Sequence, residues 1–429
     1  MTMTNKLENP IINKIAVFLA LFYAFSTRSI LGPIVFRGIL LWIYYGVLYL
    51  SLGVCLVNAF RRDGGHLYAP KFFFTVLLLV LVITFGLYRT GDLSSLLYYG
   101  IAALLPFAIK PNIKQSKTIG VVFVIIGVVL FIGCLINYLF PTAYRLVIYP
   151  LFSESTQSSL NWQAGFGTFF PGFTSQVGYT SFFLSMAFGA LYCFRKSVYS
   201  RWFVPIAIIL VFGMLLTGKR GPILFLLTSL LIIYFYEGRG RDRFIRVFQI
   251  ALIIIAAYFV LYLLATFTDN PSIGRIFDSV QELVFTRDIE DAGRDQLRNQ
   301  AWSYFNDHVL FGIGWANFKK LFVLRSTHVH NIYVQLLCET GIVGFVIFVV
   351  FFANNIVRTL RKIKLSEQDS YEYSWLMLSL FMQTYFLLYG ISGNPLYDVE
   401  ETILYFFAVG ISFLPMVSKF TQENDVRPL

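Results

Sequence analysis

Residues 118–140 read TIGVVFVIIGVVLFIGCLINYLF, without one acidic or basic side chain. A helix needs about 20 such residues to cross a bilayer, so this run predicts a membrane span. Eleven further apolar runs follow the same reading, at 11–27, 38–60, 71–88, 95–109, 176–194, 202–217, 221–236, 247–267, 332–357, 375–391 and 402–418. The expected fold is all-α: a polytopic membrane bundle of about 12 helices, with residues 1–429 forming a single integral membrane domain. Composition agrees. Hydrophobic residues make up 57% and charged residues 13% of the chain, against roughly 25% charged in a soluble domain. One soluble core could not hide so much apolar surface.

Short charged loops separate the runs, and the larger share of the 34 lysines and arginines falls in alternate loops. The positive-inside tendency then puts both termini in the cytoplasm. It also accounts for the net charge of +11 without a nucleic acid. Cys55, Cys134, Cys193 and Cys338 all lie in apolar runs and read as small buried hydrophobes with no disulfide. The first run has no small-residue cleavage site and reads as a span rather than a leader. No internal repeat is evident.

Two outer loops stand out. Residues 141–175 are rich in Gly, Ser, Thr and aromatics, and 268–331 is the longest polar stretch. A loop that long is functional more often than idle. Within it, Leu297, Ala301, Trp302 and Phe305 fall on one helical face. The long outer loop is therefore expected to be partly helical.

Several residues there have the chemistry of a site. Lys219 and Arg220, between Gly218 and Gly221, put two cations at an outer hairpin, against the charge tendency. Arg220 offers bidentate recognition of phosphate oxygens. The plainer reading is snorkelling toward lipid headgroups. His328 and His330, two of four histidines, sit at the lip of the tenth run. Either imidazole suits a general base at neutral pH. The pair also suits a metal if extended, or a solvated interface position, and no third ligand is near. Glu339 lies inside the run, where a carboxylate is costly. It can orient a partner or pair with an arginine. Arg294 and Arg298 share a helical face and suit an anion, or an ion pair with Asp295. Asp288 to Asp291 and Asp398 to Glu401 carry acid-x-acid spacings that hold a divalent cation or simply meet water. No Walker loop, dinucleotide fingerprint or nucleophile elbow occurs.

In the order and spacing of three blocks the chain resembles the O-antigen polymerase and O-antigen ligase superfamily. The first block is Gly218-Lys219-Arg220-Gly221, with Lys219 where the family commonly has Ser. The second runs from Gly293-Arg294 through Trp302 to Gly312-Ile313-Gly314 and Asn317-Phe318. The third is His330-Asn331, then Gln335, Glu339, Gly341 and Gly344. Asn394-Pro395-Leu396-Tyr397 is similar to the polymerase end of the family.

The resemblance implies inverting glycosyl transfer from an undecaprenyl-diphosphate-linked oligosaccharide, at the outer face of the bacterial cytoplasmic membrane. It implies no cofactor and no metal. A polymerase joins repeat units into O-antigen or capsule; a ligase or protein O-oligosaccharyltransferase moves the chain to another acceptor. On this reading His330 is the base, with His328 its rival and Asn331 beside it, and Glu339 orients. Arg220, Arg294, Arg298 and Lys219 hold the diphosphate. Partners would be the lipid-linked oligosaccharides, membrane lipid, a flippase and a chain-length regulator. A lipid-linked oligosaccharide flippase is the rival from another class, and would place charges at midplane in several spans.

Overall fold

The computed structural model describes residues 10–63, 93–109, 113–164, 169–238, 242–267, 292–321, 327–368 and 370–413, with Gly274 and Phe277. Thirteen helices of eight or more residues appear among them. They are α1 Pro10–Ser26, α2 Ile39–Asp63, α3 Leu93–Ala108, α4 Ile113–Leu139, α5 Glu154–Ala164, α6 Val177–Cys193 and α7 Phe203–Leu216. After these come α8 Arg220–Glu237, α9 Asp242–Phe267, α10 Ala292–Asp307, α11 Ile332–Leu365, α12 Tyr371–Tyr389 and α13 Val399–Ser412. No strand occurs among the described residues; Ser29 and Thr174 form one isolated antiparallel bridge. The run at 71–88 and the acidic stretch at 288–291 lie outside the described residues.

Five helices are long and apolar enough to cross a membrane: Ile39–Phe60, Lys117–Leu139, Arg220–Glu237, Asp242–Phe267 and Ile332–Leu365. Four shorter apolar helices accompany them, Ile11–Ser26, Leu97–Ala108, Val177–Cys193 and Phe203–Leu216. Their outward faces explain the composition. In α9, Phe244, Phe248, Leu252, Ile255 and Phe259 are all exposed, and α2 exposes Ile39, Leu40, Trp42 and Ile43. A helix with apolar side chains turned outward all round is stable only where hydrocarbon replaces water.

The inner helices are α6, α12 and α13, each buried along nearly its whole length. α6 packs on α4, α7, α8 and α12, while α13 packs on α1, α3 and α12. Small residues let these backbones approach, as where Gly189 of α6 lies against the Phe381 ring of α12.

The loops at one end of the bundle fold back on each other. Residues 141–175 form short helical turns and α5. The Tyr144 hydroxyl donates to Gly172 O at 2.6 Å, and Ile30 N donates to Phe173 O at 3.0 Å. This ties the loop to the segment after α1. Arg28 in that segment reaches α13: its Nε is 3.1 Å from Glu400 Oε1 and a terminal nitrogen is 3.5 Å from Asp398 Oδ1. The Asp398 to Glu401 stretch is therefore not a solvated acidic loop. Glu400 and Glu401 are buried, and Arg28 balances part of the charge.

α10 confirms a helix in the long loop but shifts its buried face. Leu297 and Ala301 are buried with Tyr304 packed beside them, whereas Trp302 is exposed and stacks only edge-on with Phe305. The period was right; the stripe is one position over, because the face is set by what α11 and Phe318 offer it.

A candidate diphosphate site at one end of the bundle

α7 ends at Leu216, and Gly218 turns left-handed at φ +64°, the usual stop for a helix. Lys219 is extended, and α8 starts at Arg220. The tight hairpin leaves both cations half-buried at the α8 N-terminus, with Lys219 Nζ 5.7 Å from the Phe169 ring. A cation at the positive end of a helix is unfavourable. Gly221 lies against Ser392, in the segment between α12 and α13.

From that segment Asn394 reaches His330, just ahead of α11. The backbone there is left-handed, φ +59°, rare outside glycine. Asn394 clasps it twice: Oδ1 accepts the His330 N–H at 3.0 Å, and Nδ2 lies 3.2 Å from His330 Nδ1. The Thr327 hydroxyl is 3.4 Å from Nε2. Burial pushes the His330 imidazole down to about 4, and the charges of Arg294 and Lys219 push the same way. Two cations from separate segments thus act on one imidazole.

His328 is held in parallel. Gln335 Oε1 accepts the Val329 N–H at 3.1 Å, and Gln335 Nε2 reaches His328 Nδ1 at 2.9 Å and Glu339 Oε1 at 3.1 Å. Burial pushes His328 down to about 3, helped by Lys319, His330 and Arg28. Its ring lies 5.2 Å from that of Tyr397, which stacks on Trp315 at 4.8 Å.

Glu339 is fully buried and works on backbone. Oε2 accepts Ala316 N at 2.8 Å, and Oε1 accepts Phe318 N at 3.2 Å besides Gln335. It thereby holds the 312–318 loop and Gln335 in place. Asn331 is the cap of α11, with Oδ1 accepting Tyr333 N and Val334 N at 3.0 and 3.1 Å. Its position before an apolar run is the N-cap signature. Arg298 turns to Asp295 at 3.4 Å, the ion pair that was its alternative. Among the described residues no group of three or more His, Cys, Asp or Glu could hold a metal ion.

The arrangement gathers Lys219, Arg294 and His330, with Arg220 adjoining Lys219. Two helix-spanning blocks and a histidine lip, in this order and at one end of a helical bundle, identify the segment. Residues 205–349 match the family described as O-antigen ligase. The match covers about a third of the 429 residues and supports a relation to the O-antigen polymerase and ligase superfamily. No curated protein matches the chain. The matched stretch runs from the first turn of α7 to the middle of α11 and thus includes every one of the candidate cations and both histidines. It leaves out Asn394 and Arg28. Nothing in the sequence marks Arg28, whose role depends on α1 meeting α13. Asn394 carries the weaker signal of the Asn-Pro-Leu-Tyr block.

The histidines make a stability prediction. An unfolded imidazole titrates near about 6.5, while these titrate at about 4 and about 3. Between those values the unfolded chain binds more protons, so their contribution is full above pH 6.5 and declines as pH falls toward 4. Asp398, pushed up to about 6 by burial, acts in the opposite sense. The measurement is therefore a difference. Melting of the detergent-solubilised protein between pH 7 and 5 should lose more stability in the wild type than in a His328→Gln, His330→Gln double variant. Equal slopes would refute it.

Proposed function

We propose that the chain is a polymerase joining undecaprenyl-diphosphate-linked oligosaccharide repeat units into surface polysaccharide. On this reading the bundle has twelve spans and both termini in the cytoplasm, and the site opens on the outer face of the cytoplasmic membrane. The observation that carries it is that the charges of Arg294 and Lys219, from two separate segments, both act on His330 within the stretch that matches the O-antigen ligase family.

The chemistry follows from charge. The acceptor hydroxyl oxygen forms a bond to the anomeric carbon. The bond from that carbon to the diphosphate oxygen breaks and leaves its electron pair on oxygen. Guanidinium and ammonium groups already in place stabilise the charge that develops, without reorganisation. The α8 N-terminus adds its backbone N–H groups to Lys219 and Arg220. An imidazole there can take the acceptor's proton or give a hydrogen bond to the leaving diphosphate. An anion also explains why two cations are tolerated at a helix N-terminus.

A ligase would use the same site, and the description of the matched family favours it as the second reading. Glycan analysis of a deletion strain separates them, reading chain length and carrier attachment together. Loss of the polymerase leaves single repeat units on the final acceptor. Long chains stranded on the lipid carrier would mean a ligase, and units confined to the cytoplasmic leaflet would mean a transporter.

A further inference from the structure

Each histidine of the site meets a side-chain amide whose orientation is fixed by a second partner. Asn394 Oδ1 faces the His330 backbone N–H at 3.0 Å. A backbone N–H only donates, so this atom is the oxygen, and the nitrogen must be the one 3.2 Å from His330 Nδ1. An amide NH₂ only donates, so Nδ1 carries the lone pair. The proton of the neutral ring is then on Nε2, the nitrogen beside the Thr327 hydroxyl. Gln335 repeats the logic with two constraints. Its oxygen takes the Val329 N–H and its NH₂ meets the Glu339 carboxylate, which leaves one N–H for His328 Nδ1. Turning either amide over would set donor against donor at the backbone.

A general base working through Nε2 needs the other tautomer, with Nδ1–H held by an acceptor. Here the acceptor's place is taken by donors in both rings. Burial of the rings beside Lys219, Arg294 and Lys319 keeps them neutral, in the one tautomer the amides allow.

We propose that Asn394 is a positioning residue that locks His330 as the Nε2–H tautomer, so that the imidazole serves the site as a hydrogen-bond donor to the leaving diphosphate and not as a base. Gln335 does the same for His328. The inference rests on the glycosyl-transfer reading for the identity of the anion. No proton leaves His330 in the step: Nε2–H donates a hydrogen bond as charge builds on the departing oxygen. The acceptor oxygen loses its proton to water once its bond to the anomeric carbon forms, as the oxocarbenium character of such transfers permits.

The test is spectroscopic first. The chain has four histidines, so ¹⁵N-histidine labelling of the full chain in lipid nanodiscs gives few signals, assigned by loss in His330→Gln and His328→Gln. Both rings should show the Nε2–H pattern in the wild type. Asn394→Asp keeps an oxygen for the backbone N–H and offers a second to the ring, so His330 should change to Nδ1–H or to imidazolium. Polysaccharide assembly should fall about 10-fold or more with that change. A wild-type Nδ1–H signal, or a tautomer that Asn394→Asp leaves unchanged, overturns the proposal whatever the activity. The wild-type spectrum alone is decisive should the variant fail to fold. Failure of the enzymatic reading looks different: the tautomers hold, while His330→Ala still makes full-length polysaccharide.

Discussion

Arg294→Ala should lower polysaccharide assembly by about 10²-fold or more while the protein still accumulates in the membrane. The magnitude is that of one pre-placed donor to a developing oxyanion. The residue is suited to a large effect. It stands on the first turns of α10, which the buried Leu297 and Ala301 fix against α11 and Phe318. Its charge acts on the half-buried ring of His330 and holds that imidazole toward its neutral form. Stability should change little, because Arg294 is half-exposed and the apolar face that docks α10 stays intact. Arg294→Lys should recover part of the activity, since an ammonium keeps the charge but loses the planar fork. His330→Ala should cost a comparable factor. Glycan chain length, measured beside membrane levels of each variant, decides the matter. Full-length chains from Arg294→Ala would show that the diphosphate is held elsewhere.

The sequence made some of this legible and hid the rest for identifiable reasons. Helices over 118–140 and 247–267 could be read because an apolar run of that length has one physical solution in a bilayer. Lys219 and Arg220 stood out because two cations at an outer hairpin go against the expected charge tendency, and in the structure the Lys219 charge acts on His330. Glu339 stood out through the cost of burying a carboxylate, which is real. Its remedy was hidden, because the N–H groups of Ala316 and Phe318 come from a loop more than 20 residues earlier. Asn331 also carried a local signal, for the capping role it takes at the start of α11. The roles of Arg28 and Asn394 were hidden differently: both depend on contacts between segments far apart in sequence, α1 with α13 and residue 330 with residue 394. Local pattern carries no such information. Histidine as a base was the natural reading of an imidazole near water, and only the oxygen positions of two amides argue for a donor instead.

Gly341→Ala should dismantle the site with the bundle still standing. α11 runs from Ile332 to Leu365, and at Gly341 the backbone takes φ +63°, ψ −172°, a region open essentially to glycine alone. In an unbroken helix Ile342 N would bond Cys338 O, and Val343 N would bond Glu339 O. At the break these four groups turn to the loop before them. Ile342 N donates to Val309 O at 2.9 Å and Val343 N to Leu310 O at 3.3 Å. In return Cys338 O accepts from Ile313 N at 3.0 Å and Glu339 O from Gly314 N at 2.9 Å. Two helical bonds are exchanged for four that stitch the loop into the helix, so these four groups are all paired at the break. There is no room for a side chain on either side of the stitch. A Cβ at Gly341 would overlap the Leu310 carbonyl, and one at Gly312, φ +66°, would overlap the Glu339 carbonyl. Backbone strain and overlap together should cost upwards of about 3 kcal/mol, enough to expel the loop. Expulsion takes the Ala316 and Phe318 N–H groups from Glu339, and with them the support of Gln335 and His328. The long helices do not depend on this loop, so the variant should still reach the membrane. It should make no polysaccharide, and the loop from 309 to 321 should become open to protease. Gly312→Ala should do the same from the other side. Wild-type chains from either variant would mean that the stitch does not hold the site together.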